Sequence, residues 1–173
     1  MNRDKSKIVI LPIKIVVQKN HYECGVACVG TILKTMGLKY NRESVKKRLG
    51  TNREHGTLPR KIKDFFEKRE IKCREKYGEE IIDLENNLKK GRLCLVAYQA
   101  WGNKKYFETL ESGHYSVVFG YEKDFLWLAD PFMKNKKARY EKGVRKIKKE
   151  VFGERWIDED GKKKLYKNWY LAI

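Results

Sequence analysis

The sequence predicts an α+β domain in which N-terminal helices pack on a C-terminal antiparallel sheet. Apolar residues recur at helical spacing in the first half of the chain, whereas the second half contains short apolar runs separated by turns. Because the two kinds of segment are segregated along the chain, an α+β arrangement is favoured over alternating βαβ units. We expect residues 1–173 to form a single domain, with residues 1–13 as an N-terminal extension.

Four segments have the periodicity and the flanking signals of helices. They are residues 24–36, 42–49, 57–69 and 79–90. Gly37 and Gly91 follow the first and last of these segments, as C-terminal caps do. Thr57 is the predicted N-cap of the third helix, and Pro59 would lie in its first turn.

The predicted sheet comes from four apolar runs in the second half of the chain. They are residues 93–98, 114–122, 125–130 and 165–173. Lys123 and Asp124 form a tight turn between the second and third runs. Residues 8–17 are predicted to be extended, and residues 134–164 fit either a basic helix or a long hairpin.

The composition indicates a folded domain with a strongly basic surface. Aromatic residues make up 12% of the 173 residues, and 40 Lys and Arg face 23 Asp and Glu, for a net charge of +17. A nucleic acid, an anionic membrane surface and an acidic peptide would each be attracted. No helix-turn-helix, zinc-finger or aromatic RNA-binding signature accompanies the charge, so nucleic acid ranks lowest.

The four cysteines are at positions 24, 28, 73 and 94 and contain no Cys-x-x-Cys pair, which argues against structural zinc. Cys28, Cys73 and Cys94 have the neighbours of small buried residues. The sequence has no signal-peptide pattern and no apolar stretch of 18 residues. We therefore expect a cytoplasmic protein with reduced thiols, which could associate peripherally with the inner face of the membrane. No metal or organic cofactor is expected.

Cys24 is the candidate nucleophile because it lies at the predicted start of a helix. Cysteine attacks as the thiolate, and the oriented N–H groups of a helix N-terminus favour an anion. Gly25 leaves space beside the sulfur for a substrate backbone. A structural cysteine is the alternative interpretation, and position 28 fits that interpretation better.

Among the three histidines, His114 is the best candidate for the general base. His55 lies in a polar loop and His21 lies in the same loop as Cys24, whereas His114 opens a strongly apolar strand. Asp130 ends the next strand, and a short antiparallel connection brings the start of one strand beside the end of the next. A carboxylate there would orient the imidazole and stabilise its cation.

Gln18, six residues before Cys24, offers a side-chain amide to the oxyanion of an acyl-transfer reaction. In chain order, Gln18, Cys24 within ECGVAC, His114 within GHYSVV and Asp130 within LADP resemble the double-glycine, bacteriocin-processing cysteine peptidases. This papain-like group is often found as the N-terminal domain of peptide-exporting ABC transporters. The resemblance implies a papain-like fold, a Cys24 nucleophile, a His114 base, an Asp130 orienter and a Gln18 oxyanion donor.

By this resemblance the reaction is hydrolysis of a peptide bond, typically after the Gly-Gly pair of a leader peptide. The partners would be a peptide or protein substrate and a membrane transporter or anionic membrane surface. The membrane helices and ATPase of such transporters do not follow in this sequence. Two alternatives stay open. One is a thiol acyltransferase, which passes the acyl group to an amine, and the other is a non-catalytic module that docks leader peptides.

Overall fold

The computed structural model describes residues 8–103, 105, 108–132, 142–160 and 163–173. The helices with assigned bounds are α1 (Cys24–Thr35), α2 (Arg42–Leu49), α3 (Pro59–Glu67), α4 (Ile81–Lys89) and α5 (Lys149–Arg155). The strands are β1 (Val9–Ile10), β2 (Arg74–Lys76), β3 (Cys94–Gln99), β4 (Gly113–Glu122), β5 (Phe125–Ala129), β6 (Val144–Lys148), β7 (Ile157–Glu159), β8 (Leu165–Lys167) and β9 (Tyr170–Ala172). The predicted α+β class is confirmed.

The main sheet is antiparallel at every described pairing. Its strand order is β2-β9-β3-β4-β5-β6, and β1 pairs with the far end of β4. Strands β7 and β8 form a separate two-stranded ribbon. Because β1 belongs to the main sheet, residues 9 and 10 of the segment predicted as an N-terminal extension lie within the fold.

Helices cover both faces of the sheet, which explains why β3 is buried at all of its positions. Leu95 and Ala97 belong to the core cluster that also contains the buried side chains of α1, α2 and α3. Cys94, Val96 and Tyr98 belong to a second cluster with buried side chains of α4 and α5. A strand buried on both faces has a continuous apolar run rather than an alternating one.

Two local predictions are wrong in ways that have physical reasons. Leu58, not Thr57, is the N-cap of α3, because the Thr57 hydroxyl is buried and hydrogen-bonds to the Thr51 hydroxyl at 2.8 Å. The predicted final strand is broken into β8 and β9 at Asn168, which has a φ of 48°. Its backbone N–H donates to the Trp156 carbonyl at 2.9 Å instead of to a neighbouring strand.

The ambiguous segment 134–164 contains strand β6, helix α5, strand β7 and the start of the turn after it, while residues 134–141, 161 and 162 lie outside the described residues. All four cysteines are unpaired, with Cys28 and Cys94 buried as expected but Cys73 only half-buried. No helix in the described part of the chain is both long enough and apolar enough to cross a bilayer.

Candidate active site

The sheet holds His114 and Asp130 together at the end where β4 begins. Ala129 pairs with Val117, so Asp130, one residue beyond β5, lies diagonally across from His114. The His114 Nε2 and the Asp130 Oδ1 are 2.7 Å apart, and the two side chains are only 2% and 1% exposed. The neighbour relation predicted from the sequence is therefore present in the structure.

Arg145 extends this arrangement to a third strand. Its Nη1 donates to Asp130 Oδ2 at 3.3 Å and to the Tyr98 hydroxyl at 3.2 Å. Its Nη2 donates to the Ala100 carbonyl at 3.0 Å. Asp130 Oδ1 also accepts the backbone N–H of Phe132 at 3.0 Å, so both carboxylate oxygens have donors and the carboxylate cannot rotate freely.

These contacts set the charges of the pair. Burial alone would raise the pKa of Asp130, but the hydrogen bond and charge of His114, the Phe132 N–H and the Arg145 guanidinium together lower it. Burial alone would lower the pKa of His114, but the hydrogen bond to Asp130, the nearby Cys24 side chain and the charge of Asp130 outweigh burial and raise it to about 9. At neutral pH the structure therefore favours an imidazolium held by a carboxylate.

Cys24 is the first residue of α1, and its side chain lies close enough to the His114 ring to help raise the pKa of that imidazole. Because Nε2 of His114 is engaged by Asp130, Nδ1 is the ring nitrogen that remains for the thiol. Cys24 is half-buried, and it thus lies at a helix N-terminus and beside the protonated ring of His114.

Glu23, the residue before Cys24, anchors the start of α1 to α2. Its carboxylate is 1% exposed and binds the Arg42 guanidinium, the Lys46 ammonium at 2.8 Å and the Asn20 amide at 3.0 Å. Although burial opposes ionisation, these donors lower the pKa of Glu23 to about 2. The negative charge next to the thiol is therefore paired with two cations of α2.

Gln18 is 3% exposed and lies in the loop before Cys24. Its backbone N–H donates to the Pro131 carbonyl at 2.9 Å, which ties this loop to the residue after Asp130. Its Nε2 donates one bond to the Asn20 carbonyl at 2.8 Å. Among the described residues its Oε1 has no partner, so the amide keeps hydrogen-bonding capacity that the fold does not use.

A cavity of about 440 Å³ opens beside Cys24 and His114. One wall comes from the loop and helix start at residues 54–59, another from residues 110–115, and a third from β7 and the turn after it. Such a volume is at the lower end of the range for ligand pockets. The cavity can hold a short stretch of peptide next to the thiol.

Two aromatic rings, those of Trp101 and Phe132, lie next to the His114 imidazole. The Trp101 ring lies 4.7 Å from the His114 ring and 5.1 Å from the Phe132 ring, measured between centroids. Trp101 and Phe132 are themselves 39% and 44% exposed. The His114–Asp130 hydrogen bond itself is shielded from water, since the two side chains are 2% and 1% exposed, and a shielded bond is electrostatically stronger.

Comparison with known proteins identifies the family of this chain. The sequence pattern of the peptidase C39 family matches residues 12–159. The chain belongs to this family. The "Lactococcin-G-processing and transport ATP-binding protein LagD" of Lactococcus lactis subsp. lactis is 31% identical over 141 residues, which is 81% of this chain and 18% of that protein. The chain thus spans less than a fifth of the length of this curated relative.

Solved structures of peptidase domains share the fold. A putative C39-like peptidase from Bacillus anthracis superposes with a TM-score of 0.69 at 14% identity, covering 96% of each chain. The peptidase domain of Streptococcus ComA, described as a bi-functional ABC transporter, gives 0.63 at 20% identity, covering 91% of this chain and 95% of that one. A double glycine motif protease from an AMS/PCAT transporter, in complex with its leader peptide, gives 0.59 at 16% identity, covering 94% and 91%.

The structure brings Cys24, His114 and Asp130 into one connected group, and ties the Gln18 loop to this group through Pro131. Sequence reasoning missed Arg145 and Glu23. Arg145 lies within a run of basic residues that gives no signal for any one of them. Glu23 could have been noticed as a charged residue directly before a helix of apolar residues, a position where burial requires partners.

Proposed function

We propose that this chain is a cysteine peptidase that hydrolyses the peptide bond after a Gly-Gly pair at the end of a leader sequence. The buried hydrogen bond between His114 and Asp130, with Cys24 on the free side of the imidazole, carries the proposal. Membership of the peptidase C39 family supports it, as do a relative named for processing lactococcin G and the fold shared with a double glycine motif protease that was solved with a leader peptide.

In the first step the Cys24 sulfur attacks the scissile carbonyl carbon, and the electron pair of the C=O bond moves to oxygen. His114, already protonated, gives its proton to the leaving amine as the C–N bond breaks. In the second step His114 takes a proton from water, and the hydroxide adds to the carbonyl carbon of the thioester. The C=O bond then re-forms as the C–S bond breaks and the Cys24 thiolate leaves. The products are a leader with a free carboxylate, a peptide with a free amine, and the regenerated thiolate and imidazolium.

The oxyanion formed in each step needs donors. We assign one to the Gln18 Nε2, which has a second N–H beyond the one given to Asn20, and one to the Cys24 backbone N–H at the start of α1. The Asn20 carbonyl fixes the Gln18 amide with nitrogen toward it, because two oxygens would repel in the flipped orientation.

The test is cleavage of a synthetic leader peptide that ends in Gly-Gly and continues for six residues. Mass spectrometry should find two products that together gain one water. A Cys24→Ala variant should give none, and a Cys73→Ser variant, changed at a half-buried thiol away from the site, should match the wild type. Uncut peptide with wild-type protein that binds it would instead support the docking module.

The same assay distinguishes hydrolysis from acyl transfer. With an excess of a small primary amine present, a peptidase still releases mainly the free carboxylate. An acyltransferase would release the amide, with a mass that differs by the amine. Amide as the main product would replace hydrolysis with transfer while keeping the same residues in the first step.

A further inference from the structure

The cavity beside the thiol has a charge opposite to that of the protein as a whole. Five carboxylates line it, those of Glu54, Glu111, Asp158, Glu159 and Asp160. Among the described residues of the lining none is Lys or Arg, although the chain carries a net charge of +17. Since this is the cavity next to Cys24 and His114, its charge acts on whatever peptide binds there.

Asp158 is one of the carboxylates of this cavity that the fold holds in place. Its Oδ1 accepts the Gln99 Nε2 at 3.0 Å and the Glu159 backbone N–H at 2.9 Å. Gln99 is fully buried and is itself held, because its Oε1 accepts the Ser112 backbone N–H at 2.9 Å. These bonds hold the side chain in place from the β3 side of the fold.

The carboxylate also packs on the residue before the general base. A Cβ built on Gly113 would lie 2.4 Å from Asp158 Oδ1, so a larger residue at this position would have to displace the carboxylate. This close approach places Asp158 at the wall of the cavity one residue from His114. Among the described residues its Oδ2 has no hydrogen-bond donor, in contrast to Asp130, whose two oxygens are both bonded.

We propose that Asp158 is a specificity-determining residue that binds a Lys or Arg side chain of the substrate close to the scissile bond. This inference rests on the proposed function, since it assumes that the cavity holds the substrate. Glu111 and Glu159, which are exposed on the same walls, add to the attraction. No three His, Cys, Asp or Glu side chains of the described residues are arranged to hold a metal ion, so an organic cation fits better.

The electrostatics agree with this assignment. Burial raises the pKa of Asp158 to about 7, because the hydrogen bonds from Glu159 and Gln99 and the charge of His114 offset burial only in part. A bound ammonium or guanidinium would favour the ionised carboxylate and would form a charge-assisted hydrogen bond. The nearby His114 cation is already engaged by Asp130.

The experiment measures binding and does not depend on turnover. In the Cys24→Ala background, a fluorescent Gly-Gly peptide is prepared with Lys or norleucine at each position within four residues of the Gly-Gly pair. At one or more positions Lys should bind about tenfold more tightly than norleucine, the size expected of a hydrogen bond to a charged group at a half-buried site. Adding Asp158→Asn should reduce this ratio to less than about twofold.

A matched control is Glu150→Gln, which removes the same charge from an exposed position outside the cavity and should leave the ratio unchanged. If a thermal melt shows that Asp158→Asn does not fold, Glu111→Gln serves as the second variant and should lower the ratio by a smaller factor. Equal binding of Lys and norleucine peptides at every position, or an unchanged ratio in Asp158→Asn, would overturn the proposal.

The two proposals fail in different ways. Suppose that the wild-type protein cleaves Lys and norleucine peptides at equal rates and that the Cys24→Ala protein binds them equally. The proposed peptidase activity is then supported, and the proposed specificity of Asp158 is wrong. If the Cys24→Ala protein prefers Lys peptides while the wild type cleaves none, the binding specificity stands and the peptidase activity is wrong.

Discussion

The two sides of the candidate site are built by different means. His114, Asp130 and Arg145 lie on or next to three adjacent strands, and both oxygens of the central carboxylate are bonded. Cys24 and Gln18 lie at a helix start and in the loop before it, where the Gln18 Oε1 has no partner among the described residues. The sheet side is thus complete without substrate, whereas the loop side keeps donors and acceptors for it.

This difference predicts which property of the protein a substitution on each side should change. A change on the sheet side should alter the charge and orientation of His114 and therefore the pH dependence of turnover. A change on the loop side should alter the stabilisation of the transition state, or the stability of the helix start, and leave the pH dependence in place. The predictions below test this division.

The largest effect is expected from the thiol itself. Cys24→Ala should lower turnover by about 10⁴-fold or more, as the loss of a nucleophile does, while the melting temperature changes little because the side chain is half-buried. Cys28 is 1% exposed in the core, so Cys28→Ala should leave turnover unchanged and lower the free energy of unfolding by about 1 kcal/mol. Cleavage rates and thermal melts of both variants check this pair, and the opposite pattern would remove Cys24 from the site.

The next effect is expected from the sheet side. Asp130→Asn should lower turnover by about 10²- to 10⁴-fold because the imidazole loses the group that orients it. Wild-type activity should fall as the pH rises through about 9, where His114 loses its proton. In the variant burial still lowers the pKa of His114 but the carboxylate no longer raises it, so this fall should move to lower pH. A pH–rate profile measures the shift, and an unmoved alkaline limb would contradict the role of Asp130.

On the loop side, Gln18→Ala should lower kcat by about 100-fold, the usual cost of losing one oxyanion donor. The position of the alkaline limb should stay that of the wild type, because neither His114 nor Asp130 is touched. Gln18→Glu is a useful companion, since it keeps the volume but places negative charge where the oxyanion forms. Equal kcat in wild type and Gln18→Ala would exclude Gln18 from the reaction.

The smallest effect on turnover is expected from Glu23→Gln, which should act on stability. Because folding lowers the pKa of Glu23 from 4.5 to about 2, its ion pairs stabilise the protein above pH 4.5, and this stabilisation is lost as the pH falls toward 2. The variant should lose roughly 1–3 kcal/mol at pH 7. Denaturant unfolding at pH 7 and pH 3 should show the difference shrinking at pH 3, and a constant difference would contradict it.

The comparison of the two sides also shows what the sequence could predict. The pairing of His114 with Asp130 follows from strand order and a short turn, both of which leave clear patterns. The bond from Gln18 to Asn20 depends on the conformation of the loop before α1, and the pairing of Glu23 with Arg42 depends on how this loop meets α2. Periodicity in the sequence reports neither contact.

Gly25 is a second residue whose role could not be predicted from the sequence. The sequence suggests that Gly25 leaves room for substrate, but a Cβ there would lie 2.6 Å from the Thr57 Cβ. The glycine is therefore required by packing between α1 and the start of α3. Thr57 was predicted to cap that helix, and its burial against α1 is the tertiary contact that overrides the capping preference.

The most direct test of the central claim is affinity labelling with a leader peptide that ends in a Gly-Gly chloromethyl ketone. The intact protein should gain one label, peptide mapping should place it on Cys24, and a matched label ending in Val-Val should react far more slowly. The His114→Ala variant should react slowly with both. Labelling of Cys28, Cys73 or Cys94 at a comparable rate, or equal rates for the two labels, would contradict a Gly-Gly-directed thiol peptidase.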